Sequence, residues 1–147
     1  MRIAIGCDHG GIVLKPAIIA FLKGRGLDFT DFGTYDSASV DYPLYAKKVA
    51  EAVASGEYDK GILLCGTGIG MSIAANKVKG IRAAVLSDEF SAAACSAHNN
   101  ANILCLGGRV VSPEKAVKLT ELWLDTPFEG DRHNRRLAII AEMDERK

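Results

Sequence analysis

A cysteine followed at once by a glycine-rich run is the feature of this chain with the clearest chemical potential. The run is Cys65-Gly66-Thr67-Gly68-Ile69-Gly70, and it comes directly after the apolar segment 61–64. That segment predicts a buried strand, and residues 72–77 predict the start of a helix. Loop N–H groups between a strand and a helix favour a bound anion, and the same field favours thiolate over thiol. Cys65 is therefore a candidate base or nucleophile for proton or acyl chemistry through an anionic intermediate.

Two nucleotide-binding motifs do not fit this loop. A dinucleotide fingerprint needs a small residue at its third glycine position, which is Met71 or Ile73 in the two possible frames. Asp88 lies about where a ribose-binding acid would fall, so this hypothesis is weakened but stays open. A P-loop needs a lysine directly after its glycines, and none follows here. In a structural alternative, the glycines only permit a tight turn and Cys65 is an inert buried thiol.

Length and composition predict a single globular domain spanning residues 1–147. Of the 147 residues, 48% are hydrophobic and 24% are charged, which is typical of an ordinary globular protein. Lys and Arg number 18, as do Asp and Glu, so no overall positive field would attract nucleic acid or a membrane surface. No apolar run approaches the ~20 residues that span a bilayer. The first residues enter a short apolar strand with no signal-peptide core.

The cysteine pattern favours free thiols. Cys7, Cys65, Cys95 and Cys105 form no CxxC pair and show no zinc-ligand spacing. Because the chain shows no secretion signal, we expect reduced thiols in the cytoplasm.

Short β-type segments alternate with longer helical ones along the chain. The predicted strands are 2–7, 28–32, 61–65, 83–86 and 103–106, and the predicted helices are 12–23, 42–54, 72–78, 91–98, 113–124 and 131–145. Pro16 fits only a first helical turn, so the first helix is expected to start later than Ile12. Ser112 before Pro113 is a predicted N-cap. The alternation predicts an α/β fold, a Rossmann-like doubly wound parallel five-stranded sheet flanked by helices, with a C-terminal helix.

Polar and titratable groups lie next to several predicted strands. Asp8 follows the first strand, Cys65 ends the third, Arg109 follows the fifth, and His98-Asn99-Asn100 lies just before the fifth. We expect all of them at the ligand-binding edge of the sheet. Singly, each has a structural explanation, with Asp8 as an N-cap, His98 as a cap at a helix C-terminus and Arg109 as a surface cation. Their joint occurrence favours a binding site.

A series of motifs in the right order, spread over nearly the whole chain, resembles the type B ribose-5-phosphate isomerases. The motifs are Gly6-Cys7-Asp8-His9-Gly10-Gly11, Asp41-Tyr42-Pro43, Cys65-Gly66-Thr67-Gly68-Ile69-Gly70, Ala75-Asn76-Lys77, His98-Asn99, Gly108-Arg109-Val110 and Arg132-His133-Asn134-Arg135-Arg136. The wider family includes isomerases of galactose 6-phosphate and allose 6-phosphate.

The resemblance implies an aldose–ketose isomerase that interconverts ribose 5-phosphate and ribulose 5-phosphate through a cis-enediolate, with no metal or organic cofactor. It implies Cys65 as the base and His98 as the group that opens the sugar ring. The implied donors to the enediolate are Thr67 and the amides of Gly66, Gly68, Ile69 and Gly70. The implied substrate-binding residues are Asp8, His9, Tyr42 and Asn99, and the implied phosphate-binding residues are His9, Arg109, Arg132 and Arg136. Such chemistry needs a base for a weakly acidic C–H and fixed donors for an oxyanion. Some relatives carry a carboxylate directly after the last glycine instead of the cysteine. Met71 stands there in this chain, which agrees with Cys65 as the base.

The resemblance also implies a homodimer at least, since the family completes its active site across a dimer interface and tetramers occur. Arg132 and Arg136, four residues apart, would share one face of the last helix and make a phosphate clamp. A solvated basic face is the structural alternative. Leu137, Ile140 and Met143 or Asp144 give the same helix a partly apolar stripe, which would pack on its own domain or on a neighbour.

Other functions remain open on the sequence alone. One alternative is an isomerase of a six-carbon aldose 6-phosphate. Another is a phosphosugar- or nucleotide-binding module without catalysis, which would need the arginines but not Cys65. A third is a thiol-dependent hydrolase or transferase with Cys65 as nucleophile and His98 as base.

Overall fold

The computed structural model describes residues 1–146 as a five-stranded parallel sheet with helices on both faces. The elements in chain order are β1 (Arg2–Cys7), α1 (Lys15–Gly24), β2 (Asp28–Asp31), α2 (Tyr42–Ala54), β3 (Lys60–Cys65), α3 (Ile69–Ala75), β4 (Ala83–Val85), α4 (Glu89–Ala97), β5 (Ile103–Gly107), α5 (Pro113–Asp125) and α6 (Arg132–Met143). One-turn 3-10 helices at Ile12–Leu14 and Asp144–Arg146 precede α1 and follow α6. The predicted fold class is confirmed. Lys147, the last residue of the predicted domain, lies outside the described residues.

The strand order is β2-β1-β3-β5-β4, and all four neighbouring pairs are parallel. The chain leaves β1 for β2 on one side and later returns to place β3 on the other side. The carboxyl ends of β1 and β3 therefore flank the point where the strand order reverses. In open α/β sheets, this is where a crevice for ligands forms.

Both faces of the sheet are buried because side chains alternate along each strand. In β3, Ile62 and Leu64 point to the face covered by α1, α4 and α5, whereas Leu63 and Cys65 point to the face covered by α2 and α3. Strands buried on both sides are continuous apolar runs, which is why the sequence identified them.

Side-chain caps mark the starts of two helices, one at its predicted residue and one two residues before the predicted Ser91. Ser112 accepts a hydrogen bond from the Lys115 N–H at 3.1 Å and caps α5, as predicted. Asp88 accepts from the Ser91 N–H at 2.9 Å and caps α4, and these hydrogen bonds lower the pKa of its carboxyl group. Asp88 therefore has a structural role, which removes the support it gave to the dinucleotide hypothesis. Among the helices within residues 1–146, none has the length and apolar content that a membrane crossing requires.

Helix α3 differs most from its prediction. It begins at Ile69, three residues before the predicted Ser72, and ends at Ala75. Gly68 precedes it with a φ of +81°, a left-handed conformation that glycine adopts without strain. Ile69 and Gly70 thus belong to the first turn of α3 and not to the loop.

Candidate active site

A cavity of about 450 Å³ opens at the carboxyl ends of β1 and β3, beside the segment that follows β5. Its lining residues are Asp8, Tyr42, Cys65, Gly66, Thr67, Ile69, Gly70, Ile73 and Arg109. Apart from Ile73, each of these was a predicted site residue. Ile73 could have been found from its spacing, because it lies one helical turn beyond Ile69 on the same face of α3.

Cys65 is the last residue of β3, and its thiol lies at the cavity with 4% of the residue exposed. The sulfur accepts a hydrogen bond from the Gly68 N–H at 3.1 Å. A donor aimed at the sulfur stabilises negative charge there, which suits a thiolate base.

The other three cysteines are buried away from this cavity. Burial raises the pKa of the Cys7, Cys95 and Cys105 thiols, most strongly for Cys105. All four thiols are free. Cys65 is the one cysteine among the cavity-lining residues, so it is the thiol placed to react with a molecule bound in the cavity.

The loop after Cys65 presents donors to the cavity. The Thr67 hydroxyl accepts a hydrogen bond from the Ile69 N–H at 3.2 Å, and a hydroxyl that accepts one bond can still donate its own hydrogen. Tyr42, in the first turn of α2, packs on Gly70. A Cβ atom at Gly70 would come within 2.5 Å of the Tyr42 ring. Glycine is therefore required at position 70 for Tyr42 to close this side of the cavity.

Asp8 is anchored at the start of the loop that follows β1. Its Oδ1 accepts hydrogen bonds from the N–H groups of Gly10 and Gly11, at 2.8 and 3.0 Å. Both bonds end on Oδ1, so Oδ2 is the oxygen that can accept from a ligand in the cavity. The residue is 6% exposed.

His9 has its tautomer set by a backbone contact. Its Nδ1 lies 3.2 Å from the Val40 nitrogen and accepts that N–H. In a neutral imidazole the proton must then be on Nε2, which makes this atom a donor. His9 is not among the residues that line the 450 Å³ cavity within the described chain, although the adjacent Asp8 is.

Arg109 brings positive charge to the cavity. Its N–H donates to the Gly66 carbonyl at 2.9 Å, and its guanidinium lies against Gly66, where a Cβ atom would approach Nη1 to 3.1 Å. The loop that carries the anion-binding amides is therefore also held against a cation.

The sequence-based expectation that His98 and Asn99 lie at the carboxyl edge of the sheet, beside the cavity, is wrong for a single chain. Cys65 is paired with Gly107 at the carboxyl end of β5, whereas His98 and Asn99 precede Ile103 at its amino end. The two ends of β5 are about 13 Å apart at ~3.3 Å per residue. The reason is that α4 carries the chain back from the carboxyl edge, so residues just before a strand lie at the opposite edge.

Arg132 and Arg136 also lie away from the cavity lining. Both are exposed on α6, and His133, which directly follows Arg132, stacks on His98 with ring centroids 4.6 Å apart. Asn99 lines a different cavity of about 300 Å³, together with Leu137 and Ile140 of α6. We call His98, Asn99, Arg132 and Arg136 the amino-edge cluster.

Arg82 fixes the turn that carries His98 and Asn99 of the amino-edge cluster. Its guanidinium donates to the carbonyls of Asn99 and Asn100, at 2.9–3.2 Å. No sequence pattern selects Arg82, because its contacts form only when β4 and β5 are paired.

The polar atoms of His98, Glu129 and His133 lie within 4.8 Å of one another. The two imidazole planes are only 15° from parallel, so their in-plane lone pairs do not converge on one point. Since metal ligands must converge at ~2.0–2.1 Å from the ion, this arrangement is not a preformed metal centre. Glu129 was not predicted, although its place four residues before His133 is a spacing that could have pointed to this pair.

The fold and the cavity together define an α/β protein of the open parallel-sheet class, with a thiol and a glycine-rich loop at the carboxyl edge of its strands. The chain matches the ribose/galactose isomerase family over residues 3–140 and belongs to that family. It is 49% identical to ribose-5-phosphate isomerase B of Escherichia coli (strain K12) over 146 residues, which cover 99% of this chain and 98% of the relative.

Two solved structures are similar to this chain over almost the entire length of both proteins. Ribose-5-phosphate isomerase B of Clostridium thermocellum has a TM-score of 0.97 and 53% identity, and covers 99% of both chains. Ribose-5-phosphate isomerase B of Mycoplasma genitalium with bound ribulose-5-phosphate has a TM-score of 0.94 and 41% identity, and covers 99% of this chain and 97% of that one. The resemblance inferred from the motifs is confirmed.

Proposed function

We propose that the protein is a ribose-5-phosphate isomerase that interconverts ribose 5-phosphate and ribulose 5-phosphate through a cis-enediolate. The observation that carries the proposal is the Cys65 sulfur at the cavity, with the Gly68 N–H directed at it from 3.1 Å. The similarity to ribose-5-phosphate isomerase B of E. coli supports the same substrate.

The first step is opening of the sugar ring. His98 takes the proton of the anomeric hydroxyl and delivers it to the ring oxygen as the bond between C1 and that oxygen breaks, so no net proton is gained or lost. The free aldehyde then presents an acidic C2–H. His98 suits this step because an imidazole can both accept and donate a proton near neutral pH.

In the second step, the Cys65 thiolate removes the proton from C2 and later returns a proton to C1, while the proton of the C2 hydroxyl passes to the oxygen on C1. Between these transfers the substrate is an enediolate, whose negative oxygen needs fixed donors. Thr67 and the amides of residues 66–70 supply them. The Gly68 and Ile69 N–H groups donate to the Cys65 sulfur and the Thr67 oxygen in the free chain, so they must shift toward the substrate to take part. No net oxidation of the substrate occurs, so the reaction requires no redox cofactor.

The remaining predicted residues bind the substrate. Asp8 accepts from sugar hydroxyls through Oδ2, and Tyr42 and Asn99 contact the sugar. The phosphate is bound by His9, Arg109, Arg132 and Arg136. Guanidinium groups suit this role because their paired N–H donors match the geometry of phosphate oxygens.

We propose that two copies of the chain assemble each active site. The cavity with Cys65 and the amino-edge cluster lie at opposite edges of one sheet, so a single chain does not present them to the same substrate. In a two-fold dimer, the cavity of each subunit faces the amino-edge cluster of the other. Exposed apolar side chains near both regions support such an interface. They are Tyr42, Ile69 and Ile73 beside the cavity, and Ile139, Ile140 and Met143 on α6.

We also propose the cytoplasm as the location of the enzyme, because its base is a free thiol that must remain reduced.

The proposed reaction is tested by running it in deuterated water. We expect solvent deuterium at the carbon next to the carbonyl of the recovered sugar phosphate, measured by NMR. Cys65→Ala should abolish this incorporation, whereas Cys95→Ala, which alters a cysteine outside the cavity, should preserve it. Cleavage or transfer products without exchange would contradict the proposal in favour of a thiol-dependent hydrolase or transferase. Binding without either outcome would indicate a non-catalytic module.

A further inference from the structure

The His98 imidazole lies almost flat on the imidazole of His133. The ring centroids are 4.6 Å apart, and the planes differ by 15°. His133 belongs to the first turn of α6 and is 5% exposed, and it is the only residue of that helix that is buried. A helix whose other residues are exposed or, at Leu137, partly buried thus contributes one buried aromatic ring, and that ring supports His98.

Backbone hydrogen bonds hold the segments that carry the two stacked rings, one beside His98 and one at His133. The Glu129 N–H donates to the carbonyl of Ala97, the residue before His98, at 3.0 Å. The His133 N–H donates to the Gly130 carbonyl, also at 3.0 Å. The short segment from Glu129 to His133 is therefore tied to the end of α4, which holds the two rings in register.

A hydrogen bond at Nε2 does not explain why the His133 ring is buried. Its Nε2 is buried and has no hydrogen-bond partner among the described residues. The nearest carboxylate oxygen, Oε1 of the half-exposed Glu129, is 3.6 Å away. A buried polar atom without a partner is unfavourable, so the position calls for another explanation. The stacked face is the contact that His133 makes.

We propose that His133 is a positioning residue whose aromatic face holds the His98 imidazole in the orientation required to open the sugar ring. This inference rests on the role proposed for His98. Side-chain torsions of histidine are broad at the bond to the ring, so an unsupported imidazole would sample several orientations. Ring opening needs one orientation, because the nitrogen must reach the anomeric hydroxyl.

The test compares two substrates that differ in their need for ring opening. Ribose 5-phosphate is largely cyclic. Erythrose 4-phosphate cannot form a five-membered ring, because the oxygen that would close it carries the phosphate. His133→Ala removes the stack, His133→Phe keeps an aromatic face without nitrogens, and Asn134→Ala is a matched control in the same exposed turn. Circular dichroism and the assembly mass verify that each variant is folded.

We expect His133→Ala to lower kcat on ribose 5-phosphate by about 10-fold to 100-fold, the cost of misplacing a reacting group. Turnover of erythrose 4-phosphate should stay near that of the unmodified chain. His133→Phe should restore most of the kcat on ribose 5-phosphate, which loss of a phosphate contact or of a proton carrier would not allow. Asn134→Ala should match the unmodified chain on both substrates.

Three results would overturn the positioning role while leaving the isomerase proposal intact. His133→Ala could slow both substrates equally, it could slow neither, or His133→Phe could be as impaired as His133→Ala. If the unmodified chain isomerises neither sugar, the proposed function and the positioning role both fail.

Discussion

The Gly68 amide donates its hydrogen to the Cys65 sulfur across 3.1 Å, three residues further along the same turn. The contact forms because Gly68 adopts a φ of +81°, which turns the loop back on the end of β3. The sulfur at the cavity therefore meets a backbone donor that does not depend on any side chain. This relationship connects the glycine pattern of the sequence to the proposed chemistry.

Replacing Cys65 tests its role as the base. Cys65→Ala should lower the rate of isomerisation about 10²–10⁴-fold or more, the usual contribution of a positioned general base. Cys65→Ser should also be poor, because a hydroxyl is far harder to ionise at neutral pH. Initial rates with ribose 5-phosphate measure the effect, with Cys95→Ala as the control. Near-normal turnover by the alanine variant would rule out this assignment.

The thiols should differ in their reaction with iodoacetamide. Burial raises the pKa of the Cys7, Cys95 and Cys105 thiols, so at pH 8 they remain protonated and unreactive. We expect the first equivalent of reagent to label Cys65, and bound sugar phosphate to slow the labelling. Peptide mass spectrometry identifies the labelled residue. Earlier labelling of any other cysteine would contradict the account.

His98→Ala should impair ring opening and spare proton transfer. We therefore expect a large loss with ribose 5-phosphate and a small loss with erythrose 4-phosphate, which needs no ring opening. The comparison uses two aldoses, because the equilibrium constant ties the forward and reverse rates of any one reaction together. Equal losses on both substrates would show that the ring-opening role is wrong.

Sequence periodicity predicted the strands and most helices because strands buried on both faces appear as continuous apolar runs. It placed the start of α3 too late, since glycines at positions 66, 68 and 70 lower helical propensity and mask the first turn. It placed His98 at the wrong edge, because proximity to a strand in sequence does not say which end of the strand a residue adjoins. The contacts of Arg82 with Asn99 and Asn100, and of the Glu129 N–H with Ala97, arise only between segments distant in the chain, so no local pattern could reveal them.

The phosphate clamp is tested by single substitutions on α6. Arg132→Ala or Arg136→Ala removes a charge-assisted contact worth roughly 1.5–3 kcal/mol. KM for the sugar phosphate should rise about tenfold for each 1.4 kcal/mol of lost binding. Arg→Lys should recover only part of the loss, because an ammonium lacks the paired donors. Arg135→Ala, an exposed neighbour, is the matched control. An unchanged KM, or an equal rise for unphosphorylated ribose, would assign both arginines to a solvated face.

The central claim is that each active site combines Cys65 of one chain with His98 of another. Co-expressing Cys65→Ala and His98→Ala chains with different affinity tags allows mixed dimers to be purified and assayed on ribose 5-phosphate. In a mixed dimer, one site joins the intact Cys65 of one chain to the intact His98 of the other, and the second site carries both defects. We expect the mixed dimer to regain about half the activity of the unmodified dimer, as two-fold symmetry requires. Activity no higher than the average of the two separate variants would mean that Cys65 and His98 of one chain serve the same site, which would contradict the account.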